Sequence, residues 1–149
     1  MTTDTDLIEQ ILPSEPREPR KGQKRVATVN ELLSKRKRRD IVNIPMTDED
    51  GEEFTVTVEY AALSSTSYDK LLAKFPPSAS QRKEGLSYDI DGFAPALISA
   101  VAVEPLISLE DATALYFSDD WSAGELGTLF LAAQRLCNAG LDVSFTGAG

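Results

Sequence analysis

The segment DGFAPALISAVAVEP, residues 91–105, constrains the fold more than any other part of the chain. On a helix it is apolar on nearly every side, and such a helix is stable in a small protein only when other elements surround it. Pro95 is tolerated in the first turn, and Pro105 ends the helix. The sequence therefore predicts a buried central helix that the flanking segments have to cover.

The residues before this helix have the alternation of a β-hairpin. Apolar and β-branched residues recur over residues 40–60 at near-alternating positions, and the stretch MTDEDGEE between the two runs is rich in turn residues. The apolar positions are Ile41, Ile44, Phe54, Val56, Val58 and Tyr60. We therefore predict a hairpin over residues 40–60.

Residues 64–140 are predicted to contain about four helices. The first is capped by Ser64 or Ser65 and ends before Pro76, and the polar stretch SASQRKEGLSYD after it predicts a loop. The central helix follows, then the helix SLEDATALYF, and then a last helix that Ser122 and Glu125 begin as a capping box. The predicted fold class is α+β, with an N-terminal β-hairpin followed by a small helical bundle.

Charge divides the chain into a basic beginning and an acidic remainder. Residues 1–40 contain ten Lys or Arg and seven Asp or Glu, a net charge of +3, whereas the rest contains five and seventeen, a net charge of -12. Proline content and the basic run Lys35–Arg39 favour a mobile segment over residues 1–39, with room for one short helix capped by Thr28. We expect a globular domain over residues 40–140 and a flexible, glycine-rich tail over residues 141–149.

The side chains present argue against an enzyme. The chain has no His and one Cys, Cys137, so it lacks the usual zinc ligands, the base of a Ser-His-Asp triad and the second thiol of a disulfide. No Gly-rich phosphate loop is present. Asp119 and Asp120 beside Trp121 are explained better by helix capping than as a glycosidase pair, because adjacent side chains point apart. We expect no catalytic residue, no cofactor, no metal site and no small-molecule substrate.

Charge and hydropathy also narrow the classes of molecule that this protein is expected to bind. The net charge of -9 argues against nucleic acid as the main partner, although the five cations of Lys35–Arg39 keep a small regulatory protein that touches nucleic acid open as an alternative. No apolar run reaches the length of a membrane span, and the first residues lack the basic region of a secretion signal. A reducing cytoplasm and no membrane contact are therefore expected.

Aromatic residues remain as candidates for binding another protein. Trp121 begins the last helix, and Phe93, Tyr116 and Phe130 add further aromatic area. Such side chains anchor protein partners at many interfaces. The alternative interpretation places all four in the hydrophobic core.

Three blocks of the chain stand in a characteristic order. They are LSSTSYDKLLAKFPP, then DGFAPALISAVAVEP with the following LEDATALYF, and finally WSAGELGTLFLAAQRLCNAG. In these blocks the stretch from Ser64 to Gly140 resembles the tail assembly chaperones of long-tailed, siphovirus-type bacteriophages of actinobacteria. The resemblance covers about half of the chain and does not extend to the Pro-rich beginning or the basic run.

The resemblance implies a non-catalytic protein of the infected host cytoplasm. Such a protein binds the tape measure protein, promotes assembly of tail tube subunits around it, and is not expected in the mature virion. The family commonly also makes a longer form by programmed ribosomal frameshifting. A homo-oligomer is compatible with this role.

Helix-in-groove contact with the tape measure protein is one way to shield its apolar stripes. Under this hypothesis Trp121, Leu129 and Phe130 line part of the groove and are the candidate partner-binding residues. A structural phage protein, such as a head-tail connector or a tail component, is the other alternative, and it would be found in purified virions.

Overall fold

The structure, a computed structural model, describes residues 24–141. The mobility predicted for residues 1–23 and the flexible tail predicted beyond residue 141 lie outside the described residues. The chain divides into two compact units, the first ending at Lys35 and the second beginning at Arg36. In the first unit, helix α1 (Val29–Leu33) begins with a capping box between Thr28 and Glu31.

The second unit contains a three-stranded antiparallel sheet and five described helices. In chain order these are β1 (Arg39–Thr47), β2 (Glu53–Ala61), α2 (Ser65–Ala73), α3 (Ala79–Lys83), α4 (Ile90–Val101), β3 (Ala102–Glu104), α5 (Leu109–Tyr116) and α6 (Ala123–Asn138). The α+β class, with a hairpin ahead of the helices, is confirmed. The number of helices in this unit is five rather than about four, because α3 was not predicted.

The prediction of a loop after Pro77 is wrong for Ala79–Lys83. The Ser78 Oγ accepts the N–H of Gln81 at 3.2 Å, and the Gln81 side chain accepts the N–H of Ser78 at 2.8 Å. This capping box satisfies two N–H groups that the helix itself leaves unpaired. It begins a helix of five residues that has no apolar face, so hydrophobic periodicity could not predict it.

The prediction that the central helix runs to Pro105 is wrong for its last three residues. Ala102–Glu104 form β3, which pairs antiparallel with β2 opposite Glu59 and Tyr60. A short apolar run has no periodicity that separates a buried helix from a buried strand. Pairing with β2 therefore decides the conformation of these residues.

The hairpin has one buried face and one solvated face. Val42 lies opposite Val58, and Ile44 lies opposite Val56, on the face that is turned to the helices. Asn43 lies on the other face, which water covers, as is common in antiparallel sheets. The alternation predicted for residues 40–60 thus places an apolar face on the core.

Helix α4 lies at the centre of the core. Helices α2, α5 and α6 all pack against it, and α6 also contacts both strands of the hairpin. Four of its large side chains are fully buried: Phe93, Leu97, Ile98 and Val101. The prediction of a buried central helix is confirmed for Ile90–Val101.

A substitution at Gly92 in α4 tests this packing. A Cβ added at Gly92 would lie 2.5 Å from Cδ1 of Phe75, whose ring packs against Phe93. We expect Gly92→Ala to lower the free energy of unfolding by about 1–3 kcal/mol, because the ring has to leave its place. Urea unfolding followed by circular dichroism measures this loss.

Gly127 in α6 is the matched control. An added Cβ there meets no atom within 4 Å, and the backbone is helical. Gly127→Ala should raise the free energy of unfolding by about 0.5–1 kcal/mol, because Ala loses less backbone entropy in a helix than Gly does. A Gly92→Ala protein as stable as Gly127→Ala would contradict the packing described for Phe75.

Candidate partner-binding surface

The capping box at the start of α6 fixes the position of Trp121. The Ser122 Oγ accepts the N–H of Glu125 at 3.1 Å, and the Glu125 carboxylate accepts the N–H of Ser122 at 2.9 Å. Hydrogen bonds that the carboxylate accepts from Ser122, chiefly from its backbone N–H, hold the pKa of Glu125 below its usual range, so the carboxylate is charged at neutral pH. Trp121 directly precedes this fixed turn and lies against β1.

A groove, called here the Trp121 groove, lies between β1 and the first half of α6. Its cavity volume is about 140 Å³. It is lined by Val42, Asn43, Ile44, Pro45, Trp121, Glu125, Thr128 and Leu129. A hollow of this volume has room for one or two side chains of a protein partner.

The groove continues towards the turn of the hairpin. An adjoining cavity of about 310 Å³ is lined by Ile44, Pro45, Met46, Thr47, Asp120, Trp121 and Glu125. Trp121 therefore lines two adjoining hollows along the same edge of the sheet. Because β1 is the edge strand, no other strand of the described sheet lies beyond it.

The inner face of the hairpin remains exposed near its turn. Met46, Phe54 and Val56 lie on the same face as the buried Val42 and Val58, yet they are 39%, 46% and 37% exposed. We call these three residues the tip face. A contiguous apolar surface of this kind is typical of a site that binds another protein.

Acidic side chains surround the groove and the tip face. The hairpin turn contributes Asp48, Glu49, Asp50, Glu52 and Glu53, and the segment before and within α6 contributes Asp119, Asp120 and Glu125. The helix-capping role expected of Asp119 and Asp120 is wrong, because Ser122 is the N-cap of α6. Neither residues 40–60 nor residues 105–134 contain a Lys or an Arg, so no cation from these segments offsets the acids.

The turn of the hairpin holds its acidic residues in an ordered conformation. The Asp48 carboxylate accepts the N–H groups of Asp50 and Glu52, both at 2.9 Å. Gly51 has a φ of 82°, a conformation that glycine adopts without the strain of a Cβ. The acidic residues near the tip face therefore lie on a turn that side-chain hydrogen bonds hold in one conformation.

The structure brings two of the three candidate residues together. Trp121 is half-buried on one side of the groove, and Leu129 is 3% exposed and lines the groove floor. Phe130 is 6% exposed and packs edge-on against Phe93, with ring centroids 6.1 Å apart. Successive helical residues point in directions about 100° apart, so Leu129 and Phe130 face different neighbours. Phe130 is a core residue, and Trp121 and Leu129 remain the candidates for partner binding.

The sequence analysis missed the contribution of the hairpin to this surface. The alternation in β1 and β2 placed Phe54 and Val56 on the inner face, but alternation carries no information on how far the helices extend over that face. The count of acids in the hairpin turn was a usable signal, because eight successive residues there include five carboxylates.

Cys137 is a poor nucleophile in this fold. It is half-buried on α6, and its Sγ accepts the N–H of Leu63 at 3.4 Å. Burial raises the pKa of the thiol, so the thiolate is scarce at neutral pH. Within residues 24–141, no group of three or more His, Cys, Asp or Glu is placed to hold a metal ion.

Comparisons with known proteins add no relative to this description. No protein-family model matches the chain, and no curated protein or solved structure matches it significantly. Over the part of the chain that the structure describes, no helix has both the length and the hydropathy of a membrane span.

Tyr60 connects the hairpin to α6 by a hydrogen bond close to the groove. Its side chain is fully buried, and its hydroxyl donates to the carbonyl of Leu129 at 3.4 Å. Burial raises the pKa of Tyr60 to about 12, because the charged phenolate is disfavoured away from water.

This pKa shift predicts a specific loss of stability in alkali. The unfolded chain releases the Tyr60 proton near its ordinary pKa of about 10, while the folded chain keeps it until about pH 12. The contribution is complete below pH 10 and is lost as the pH rises from about 10 to 12, by about 2–3 kcal/mol in all. Tyr60→Phe should lack this part of the loss in urea unfolding followed by Trp121 fluorescence. Equal losses in the two proteins would contradict it.

Proposed function

We propose that this protein is a non-catalytic tail assembly chaperone of long-tailed bacteriophages, which binds the tape measure protein and promotes assembly of the tail tube. The proposal rests on the resemblance of the segments between Ser64 and Gly140. The Trp121 groove is the observation that best supports it, because it is an apolar hollow with a half-buried Trp, and Trp side chains anchor protein partners at many interfaces.

The size and apolar lining of the groove suit the physical task of such a chaperone. A tape measure protein is a long helical chain, and the apolar stripes of its helices would associate with one another before a tube encloses them. An amphipathic helix presents apolar side chains at positions i, i+3, i+4 and i+7, and one or two of these fill a hollow of about 140 Å³. The groove would thus cover part of a stripe.

The acidic body would keep the complex in solution. The chain beyond residue 40 has a net charge of -12, and such a charge opposes association between complexes. Under this proposal the protein acts in the host cytoplasm and is absent from the finished virion. A head-tail connector or tail component would instead be found by mass spectrometry of purified virions.

Trp121→Ala tests the proposed role of the groove. A half-buried Trp at the centre of an interface commonly contributes about 2–4 kcal/mol to binding. Its loss should weaken binding of the tape measure protein encoded in the same genome by about 30-fold or more. The measurement is the amount of soluble tape measure protein when the two proteins are co-expressed, followed by affinity measurements on the soluble complex.

Phe117→Ala is the matched control for this variant. Phe117 is also aromatic, is 61% exposed and follows α5, and it is not among the residues that line the groove. The control should retain full binding, and thermal unfolding should show that both variants are folded. Tape measure protein that stays insoluble with the wild-type chain would refute the proposed function, whereas full binding by Trp121→Ala would refute only the role of the groove.

A further inference from the structure

The two hollows beside Trp121 differ in chemical character. The Trp121 groove has apolar walls that include Val42 and Leu129. The adjoining cavity, called here the acidic hollow, is lined by the carboxylates of Asp120 and Glu125. A partner segment that fills both hollows therefore needs an apolar side chain for the first and a polar or charged side chain for the second.

The carboxylates of the acidic hollow are available to a cation. Glu125 accepts the N–H of Ser122 through Oε1, and its Oε2 has no hydrogen-bond partner within residues 36–141. Within the same residues neither Asp120 nor Glu125 forms an ion pair, whereas Arg39 pairs with Glu59. Both carboxylates are exposed, so a partner's side chain can reach them.

The sequence around the hollows supplies no positive charge. Residues from 42–47 and 120–129 line the two hollows, and the longer stretches 40–60 and 105–134 contain no Lys or Arg. The hairpin turn adds five carboxylates between residues 48 and 53. A surface with this excess of negative charge favours a positively charged partner and repels an acidic one.

Hydrogen bonds to β2 show which backbone groups of β1 face the outer edge of the sheet. The Arg38 carbonyl accepts the N–H of Ala62 at 2.8 Å, and the N–H of Asp48 donates to the Glu52 carbonyl at 2.9 Å. In an antiparallel pair such bonded positions alternate along the strand. Even-numbered residues therefore bond to β2, and the backbone groups of odd-numbered residues point to the outer edge.

Two of the donors on this outer edge are missing. Pro45 has no N–H, and the N–H of Ile41 donates to the Asp40 carboxylate at 2.9 Å. A strand added here would leave its own carbonyls without partners at both positions, which opposes pairing at the edge of a sheet. Helix-in-groove contact is therefore favoured over strand addition for an occupant of the hollows.

One helix can enter both hollows. The hollows adjoin, because they share Trp121, Glu125 and two residues of β1 in their walls. Side chains at i and i+3 or i+4 lie on one face of a helix, with Cβ atoms about 5–6 Å apart. Lys and Arg also have apolar stems, and their charged groups interact favourably with the ring of a Trp. An apolar residue and a cation one turn apart thus match the two hollows.

We propose that the Trp121 groove and the acidic hollow together bind an amphipathic helix that carries Lys or Arg one turn from an apolar residue. The apolar side chain enters the groove, and the cation pairs with Asp120 and Glu125 in the acidic hollow. This inference rests on the proposed function and deepens it, because it states which segments of a tape measure protein the chain binds. They are basic amphipathic helices rather than acidic or neutral ones.

Designed helical peptides of about 18 residues, or about five turns, test the proposal on the full-length chain. The first peptide carries Leu and Lys one turn apart, and the second has Glu in place of each Lys. Trp121 is the single Trp of the chain, so its fluorescence reports occupancy when the peptides lack Trp. The Lys peptide should bind at least about 10-fold more tightly than the Glu peptide. This difference should shrink as NaCl rises from about 0.05 M to about 0.5 M.

Asp120→Asn with Glu125→Gln removes both charges from the acidic hollow. The helix start should be retained, because Gln can complete a capping box with Ser122, as Gln81 does with Ser78 in α3. This variant should bind the Lys peptide about 10-fold more weakly than the wild type does, with no loss of affinity for the Glu peptide.

Glu110→Gln with Asp111→Asn is the matched control. It removes two exposed acids of α5 from the same stretch without Lys or Arg, and neither residue lines a hollow. The net charge changes equally, so this protein should keep the wild-type preference for the Lys peptide. An equal loss of preference in the control would show that net charge selects the peptide, and would overturn the proposal.

Other occupants of the hollows would give different results. Equal affinity of the wild type for the Lys and Glu peptides would assign the hollows to a neutral apolar segment. Equal affinity for a Lys peptide with Pro at two central positions would show that no helix is needed. Either result would overturn the proposal, as would the absence of binding at about 1 mM Lys peptide.

Failure of this inference differs from failure of the proposed function. A wild-type chain that keeps the tape measure protein soluble but has no preference for the Lys peptide would refute only the inference. A wild-type chain that prefers the Lys peptide but leaves the tape measure protein insoluble would refute the proposed function.

Discussion

Packing around the Phe93 ring is the interaction on which the rest of the structure depends. The ring is fully buried, and its centroid lies 5.3–6.2 Å from those of Tyr68, Phe75, Tyr88 and Phe130. These rings come from α2, from the segments on either side of α3, and from α6. Aromatic pairs contribute about 0.5–1.5 kcal/mol each beyond their buried area. One side chain of α4 therefore joins α2, α6 and the segments beside α3 to a single core.

The surface proposed for binding follows from the size of that core. Helix α6, which contacts both strands of the hairpin, has 16 residues and is about 24 Å long, whereas the 9-residue strands extend about 30 Å. A helix of this length does not cover such a hairpin from end to end. It buries the Tyr60 end, and the apolar alternation continues to Phe54 without cover. The Trp121 groove lies where the covered part of the face ends.

Sequence patterns predicted the helices and strands better than they predicted how these elements pack. The alternation over residues 40–60, the apolar central helix, and the caps predicted at Ser64 or Ser65 and at Ser122 were sufficient, because each is a local signal. Strand β3 was missed because its conformation depends on pairing with β2, which is distant in sequence. For the same reason Phe130 was predicted to line the groove with Trp121 and Leu129 although it lies in the core, since exposure depends on which elements pack where.

Native-state hydrogen exchange measures most directly whether the hairpin is packed at one end and uncovered at the other. Amides of α4 and of the hairpin near Tyr60 should exchange only through global unfolding, since they lie in the core. Amides near Phe54 should exchange through local opening, with protection at least about 100-fold lower, because no helix covers the tip face. Equal protection at Phe54 and Tyr60 would show that the tip is packed as tightly as the core, and would contradict the exposure of the tip face.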